Sequence, residues 1–282
     1  MKKAFALGLA AVMAVGMTGA VSAQELSGSI TGSGSSALLP LAQDAADAFK
    51  ELYPDVSITL NGGGSGTGLK QVSDGSVDIG NSDVAAETKL EADAAAELVD
   101  HKVCVVTMAP IVNKEVGESV TSLTKEQLID IFTGEVTNWN EVGGPDEEII
   151  LITRPQTSGT RALFKEYALD GNEELSGGSL ETDDSGTLLQ SVADNEGAIG
   201  YIALPYLMNN DTVSVVAIDG VEPSLENTYN GTYPVWGYEH MYTKGEASEV
   251  VQAFIDFITG DEYGKRIEEQ GYGVTAKMTV ER

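Results

Sequence analysis

Three stretches of this chain put small residues and hydroxyls where a helix is about to begin: Gly32-Ser33-Gly34-Ser35-Ser36-Ala37, Gly64-Ser65-Gly66-Thr67-Gly68 and Thr157-Ser158-Gly159-Thr160. Each follows an apolar run that reads as a strand. The first turn of a helix offers unpartnered backbone N–H groups and the positive end of the aligned peptide dipoles, and small residues let an oxyanion reach them. One such loop alone reads equally well as an N-cap or a turn. Three of them converging would dehydrate one tetrahedral anion and hold it. Two charged residues fit the same set: Arg154, four residues before Ser158, brings a permanent cation with forked donors, and Asp83 closes the segment Val77-Asp78-Ile79-Gly80-Asn81-Ser82-Asp83. Taken singly, either also reads as half of a surface ion pair.

Other chemistries use similar patterns, and the residues count against them. Gly32 to Ala37 matches the G-x-G-x-x-A form of a dinucleotide fingerprint, but no second confirming pattern follows. Leu69 separates Gly68 from Lys70, so the Gly-Lys-Ser/Thr of a triphosphate-binding loop is missing. Neither Ser65, followed by Gly66-Thr67, nor Ser158, preceded by Thr157, lies in G-x-S-x-G. An exported phosphoester hydrolase using one of these serines stays open as an alternative, with His101 and His240 the only histidines to serve as base. Both histidines read as surface or strand-end residues. No second ligand stands at a metal-binding spacing, so neither a metal nor a cofactor is expected, and no catalytic residue is assigned. Cys104, the sole cysteine, lies within Val103-Cys104-Val105-Val106 and reads as a small buried hydrophobe. Trp139, Trp236 and the tyrosines read as packing residues.

The elements that must position these residues follow from periodicity. Gly28 to Thr31 predicts a strand, and Leu38, Leu41, Ala45, Phe49 and Leu52 predict a helix from about Ser36 to Leu52, ended by Pro54. Val56 to Leu60 alternates as a strand, Leu69 to Ser73 reads as helix, and Val77 to Gly80 as the next strand. Val103 to Val112 is an apolar run broken by Pro110, suited to a crossing between lobes. Thr124 and Gln127 form a capping box opening a helix over 125–132. Further on, the pattern predicts a strand over 148–153, a helix over 160–169, a helix over 185–194, a strand over 198–202, and helices over 247–259 and 262–269. Repeated strand, loop and helix units imply layered α/β architecture.

Lys2 and Lys3, the apolar run from Ala4 to about Val21 and the small residues Val21-Ser22-Ala23 have the form of a secretory leader, with the mature chain starting at Gln24. Export counts further against the dinucleotide reading. No cysteine stands at the cleavage point, so no lipid anchor is expected, and the compartment is periplasmic or, alternatively, the protein is freely secreted. The 16 Lys and Arg against 44 Asp and Glu give a net charge of −28, which makes nucleic acid and anionic membranes poor partners.

Taken together, these segments resemble the phosphate-binding proteins of the phosphate-specific ABC transporters over nearly the whole mature chain. The most distinctive stretches are Gly64 to Gly68 with Val77 to Asp83, then Ile131-Phe132-Thr133-Gly134-Glu135-Val136-Thr137-Asn138-Trp139-Asn140-Glu141-Val142-Gly143-Gly144, then Arg154 to Arg161. The resemblance implies a type II periplasmic-binding-protein-like α/β fold, its two lobes joined by two crossing strands. Lobe I would comprise 24–107 plus 236–282 and lobe II 108–235, after a leader at 1–23. It implies inorganic phosphate as ligand, held by Ser36, Ala37, Ser65, Asp83, Arg154, Ser158, Gly159 and Thr160. It further implies an ABC permease with its ATPase as partners, and a monomeric binding protein that is no enzyme. A binding protein or sensor for another oxyanion is the alternative that keeps the same architecture.

Overall fold

The computed structural model describes residues 26–176 and 180–282. The expected leader at 1–23 and the mature N-terminus at Gln24 lie outside the described residues.

β1 (Gly28–Gly34) runs into a turn before α1 (Leu39–Leu52). The helix starts three residues later than its periodicity suggests. The Ser35 hydroxyl takes the Leu38 N–H at 2.9 Å and holds the turn open. Pro40, which has no N–H to give, then occupies the first helical turn. Leu41, Ala42, Ala45, Ala46 and Phe49 form the buried face. Phe49 meets Phe254 and Phe257, far along the chain, edge to face at ring-centroid distances of 5.4 Å. Burying a ring of that size is worth about 1.5–3 kcal/mol, so the tail of the chain is anchored on α1.

β2 (Val56–Asn61) lies parallel to β1. α2 (Ser65–Ser73) begins four residues earlier than expected, on Gly64 with a φ of 87°. Gly68 permits this: a Cβ there would stand 2.4 Å from the Ser33 carbonyl oxygen, so only bare backbone can lie so close to the sheet. β3 (Ile79–Ser82) starts two residues late. Asp78 is held outside it, its carboxylate accepting the Thr31 N–H and hydroxyl at 2.8 Å each.

After α3 (Ala92–Ala95) comes β4 (Leu98–Asn113), unbroken at Pro110. Proline's fixed φ suits extended backbone, and the Pro110 carbonyl accepts the Val216 N–H at 3.0 Å. α4 (Lys114–Gly117) and β5 (Ser122–Leu123) precede α5 (Lys125–Thr133), where Thr124 and Gln127 form the expected capping box. Then follow β6 (Ile150–Thr153), α6 (Gly159–Tyr167), β7 (Leu180–Glu181), α7 (Ser185–Asp194), β8 (Ala198–Ala203), β9 (Val213–Val215), β10 (Ala217–Ile218), α8 (Leu225–Tyr229), β11 (Trp236–Lys244), α9 (Glu249–Thr259) and α10 (Asp261–Glu269).

The main sheet has the order β2-β1-β3-β11-β4-β8-β6-β7, with β9 also on β4. β4 belongs to both halves. Leu98 to Thr107 run antiparallel to β11, and Met108 to Val112 run antiparallel to β8. Trp236, the first residue of β11, faces Thr107. In the two-lobed α/β fold, β4 therefore changes sheet partner between Thr107 and Met108, level with the start of β11. Phe132, Phe164 and Tyr201 form the aromatic centre of the second lobe, with Phe164 stacked on Tyr201 at 4.4 Å.

One expectation needs correction. His240 is neither at the surface nor at a strand end: it lies buried within β11, its Nδ1 2.7 Å from an Asp100 carboxylate oxygen. Cys104 is fully buried, and burial pushes its thiol well up, so it is inert as a nucleophile.

Candidate functional site

The first lobe brings up two helix starts and a carboxylate. In the turn after β1, the Tyr206 and Tyr272 hydroxyls donate to the carbonyls of Ser36 and Ala37 at 2.7 and 2.6 Å. The peptide planes are fixed, while the Ser36 and Ala37 N–H groups have no partner among the described residues. A buried N–H without a partner is costly, and an anion would satisfy it. Ser65 opens α2, and its hydroxyl accepts the Asp83 N–H at 3.0 Å. Asp83, one residue beyond β3, accepts the Thr160 hydroxyl on Oδ2 at 3.0 Å, whereas its buried Oδ1 has no partner among the described residues.

The second lobe faces these with another helix start and a guanidinium. Ser158 caps α6, its hydroxyl accepting the Arg161 N–H at 3.2 Å. Gly159 is where the lobes touch: a Cβ there would stand 2.1 Å from Ser65 Oγ and 2.9 Å from the Asp83 carboxyl carbon. Arg154, at the end of β6, is 1% exposed. Its Nε donates to the Thr182 carbonyl at 3.1 Å and its Nη2 to the Asp183 carbonyl at 2.9 Å, which aims the remaining donors. Those reach the Ser185 hydroxyl at 3.2 Å and, from the other lobe, the Ser36 hydroxyl at 3.3 Å. Burial pulls the guanidinium below its ordinary pKa, opposed by Tyr201, Asp83 and Asp184, and arginine keeps its charge against such shifts.

Further bonds span the cleft. The Gly66 N–H donates to the Thr157 carbonyl at 2.9 Å, Lys89 Nζ to the Gln156 carbonyl at 2.8 Å, and the Ser36 and Ser185 hydroxyls lie 3.0 Å apart. The eight expected residues are thus brought to one place, all of them buried. Ser36 and Arg154 form one linked group, Ser65, Asp83 and Thr160 a second, with Gly159 wedged against Ser65 and Asp83. Ser158 differs in that its oxygen already caps its own helix.

Ser185 was missed. It opens α7 after the N-cap Asp184, whose carboxylate accepts the Thr187 N–H at 2.8 Å. Asp184-Ser185-Gly186-Thr187 repeats the small-residue helix start of the other three loops, so the signal was present. Lys89 carries no such signal.

Neither histidine is a hydrogen-bond partner of Ser65 or Ser158: His101 faces Thr243 and His240 faces Asp100. Among the described residues no cluster of His, Cys, Asp and Glu is arranged to hold a metal ion, and no helix is long and apolar enough to cross a membrane.

A model of the PBP superfamily domain matches residues 20–262. The phosphate-binding protein PstS of Bacillus subtilis is 49% identical over 260 residues, 92% of this chain and 85% of that protein. The phosphate-binding protein PstS of Staphylococcus epidermidis is 27% identical over 91% of this chain and 82% of its own length. The structure of a phosphate ABC transporter substrate-binding protein with bound phosphate from Clostridium perfringens aligns with a TM-score of 0.81 at 36% identity, covering 88% of this chain and 100% of that one. The chain belongs to the phosphate-binding protein family.

Within this family member, the wall behind Arg154 contains a second buried charge system. The Arg161 guanidinium donates to the Arg154 carbonyl and lies 3.5 Å from the Glu174 carboxylate. Burial pushes the Glu174 pKa from 4.5 up to about 7, against the pull of Arg161. A carboxyl whose folded value is raised contributes stability below its unfolded value and loses it as pH climbs to the folded one. Between pH 4.5 and about 7 the unfolding free energy of the wild type should therefore fall by about 2–3 kcal/mol relative to Glu174→Gln. Urea titrations of both proteins across that window check this, and a constant difference between them would contradict it.

Proposed function

We propose that this protein binds inorganic phosphate in the cleft between its lobes, outside the cytoplasm, and delivers it to an ABC importer. The observation that carries this reading is the arrangement of Arg154. A buried, permanently charged fork is aimed by two backbone carbonyls at serine hydroxyls from both lobes, with the Asp83 carboxylate in the same enclosed site. In this reading Arg154 neutralises the ligand. The N–H groups of Ser36, Ala37, Gly159 and Thr160 and the hydroxyls of Ser36, Ser65, Ser158 and Thr160 replace its water. Ser185 joins them at a fourth helix start. Near neutral pH phosphate keeps at least one proton, and Asp83 accepts a hydrogen bond from it. Sulfate carries no proton and would set acceptor against acceptor.

Lobe boundaries near Thr107 and Trp236 fit the change of sheet partner along β4, and closure about that level would enclose the ligand. The closed form is what an importer's permease, with its ATPase, would recognise. The family relatives support that partnership, and a monomeric protein released to the periplasm or the medium fits the expected leader.

Isothermal titration calorimetry of the mature protein, stripped of endogenous ligand, tests the proposal. Heat on adding phosphate with none on adding sulfate is expected. A folded, stripped protein that gave no phosphate heat would overturn it.

A further inference from the structure

Glu239 is a carboxyl group with no solvent exposure and no hydrogen-bond partner on either oxygen among the described residues. It lies on β11, between β3 and β4, opposite Cys104. The register between β11 and β4 shifts between Glu239 and His240, with Val103 of β4 the unpaired residue. Because His240 pairs with Ser82, the last residue of β3, the antiparallel register places Glu239 opposite Asp83.

The titratable groups facing it are Asp83 after β3, Cys104 on β4, Tyr206 after β8 and Tyr272 beyond α10, and the Ser35 hydroxyl approaches from the end of β1. No cation among the described residues is in this set. Arg154 and Lys89, the cations of the cleft, act on Asp83 instead. An ionised Glu239 would have neither water nor counter-charge, so burial, with the Asp83 charge adding to it, pushes its pKa well above the carboxylate range. That direction favours the neutral acid, and a neutral carboxyl is a donor. Asp83, with its unpartnered Oδ1, is the acceptor beside it.

We propose that Glu239 is a positioning residue for the anion site: held as a neutral acid behind Asp83, it donates a hydrogen bond to that carboxylate and keeps it an acceptor towards the ligand. Which of two adjacent buried carboxyl groups holds a proton decides what the ligand meets. With the proton on Asp83, the cleft would present a donor and admit a fully deprotonated oxyanion. With the proton on Glu239, it presents an acceptor and selects a ligand that carries its own proton.

The inference rests on the phosphate reading, and the experiment separates the two. Infrared spectra of the stripped protein near neutral pH follow the proton without any ligand. The wild type shows a carboxylic-acid carbonyl band that Glu239→Gln lacks, any Glu174 contribution being common to both. Calorimetry then follows the consequence. Glu239→Gln, which still donates, keeps phosphate affinity within about threefold, whereas Glu239→Leu lowers phosphate-over-sulfate selectivity by about tenfold, the weight of one hydrogen bond to a charged group. Wild-type affinity also falls on the alkaline side as Glu239 ionises, a limb both variants lack. An unchanged carbonyl band in Glu239→Gln, wild-type selectivity in a folded Glu239→Leu, or equal damage in the two variants would each overturn the proposal. Should Glu239→Leu fail to fold by circular dichroism, the band and the pH profile of Glu239→Gln decide. Absence of phosphate heat in the wild type would instead sink the phosphate reading, while the band would still report on Glu239.

Discussion

Replacing Arg154 by methionine is expected to weaken phosphate binding by about a thousandfold, since removing one partner of a buried charge pair costs about 3–5 kcal/mol. The side chain is similar in length, so the wall stays filled, but the hydroxyls of Ser36 and Ser185 lose the donors that orient them. Lysine should recover only part of the loss. A point charge cannot serve the Thr182 and Asp183 carbonyls and both hydroxyls together, as the planar fork does. Calorimetric titration with phosphate, with a thermal melt to confirm folding, measures this. A loss below tenfold in Arg154→Met would mean that the backbone donors alone hold the anion.

The second large effect concerns choice of ligand. Asp83→Asn should reduce discrimination between phosphate and sulfate by about a thousandfold, because a buried acceptor facing an acceptor costs several kcal/mol and the amide can turn a donor to the ligand. The asparagine oxygen can still accept the Thr160 hydroxyl that now meets Oδ2. The bond to Thr160 is therefore retained, and the change falls where Asp83 faces the ligand and Glu239. Measurable sulfate heat in the variant, alongside weakened phosphate heat, is the expected outcome. Sulfate remaining silent would place the discrimination elsewhere.

Much of this arrangement was legible in the residues because it is built from local signals. The capping box at Thr124 and Gln127, the helix over Ser185 to Asp194 and the glycine-rich helix starts are all written within a few positions of one another. Boundaries slipped where a distant group settled them. α2 could absorb Ser65 to Gly68 only because the sheet leaves no room for a side chain at Gly68, and β3 lost its first residues to a bond between Asp78 and Thr31. Lys89 and Glu239 were invisible for the same reason. Lys89 acquires its partner across the cleft, and Glu239 its neighbour across two strands. A mid-strand histidine cannot be told from one at a strand end by a single sequence, which is why the environment of His240 emerged only from the fold.

The bonds across the cleft bear on time as well as on affinity. The Gly66 to Thr157 backbone bond, the Lys89 ammonium on the Gln156 carbonyl and the Tyr206 hydroxyl on the Ser36 carbonyl must all break before the lobes can part. Opening of the kind proposed would break these bonds along with the ligand's own contacts, which would lengthen the residence time. A membrane partner that competed for even one of these carbonyls would shorten the lifetime of the closed form and set the moment of discharge.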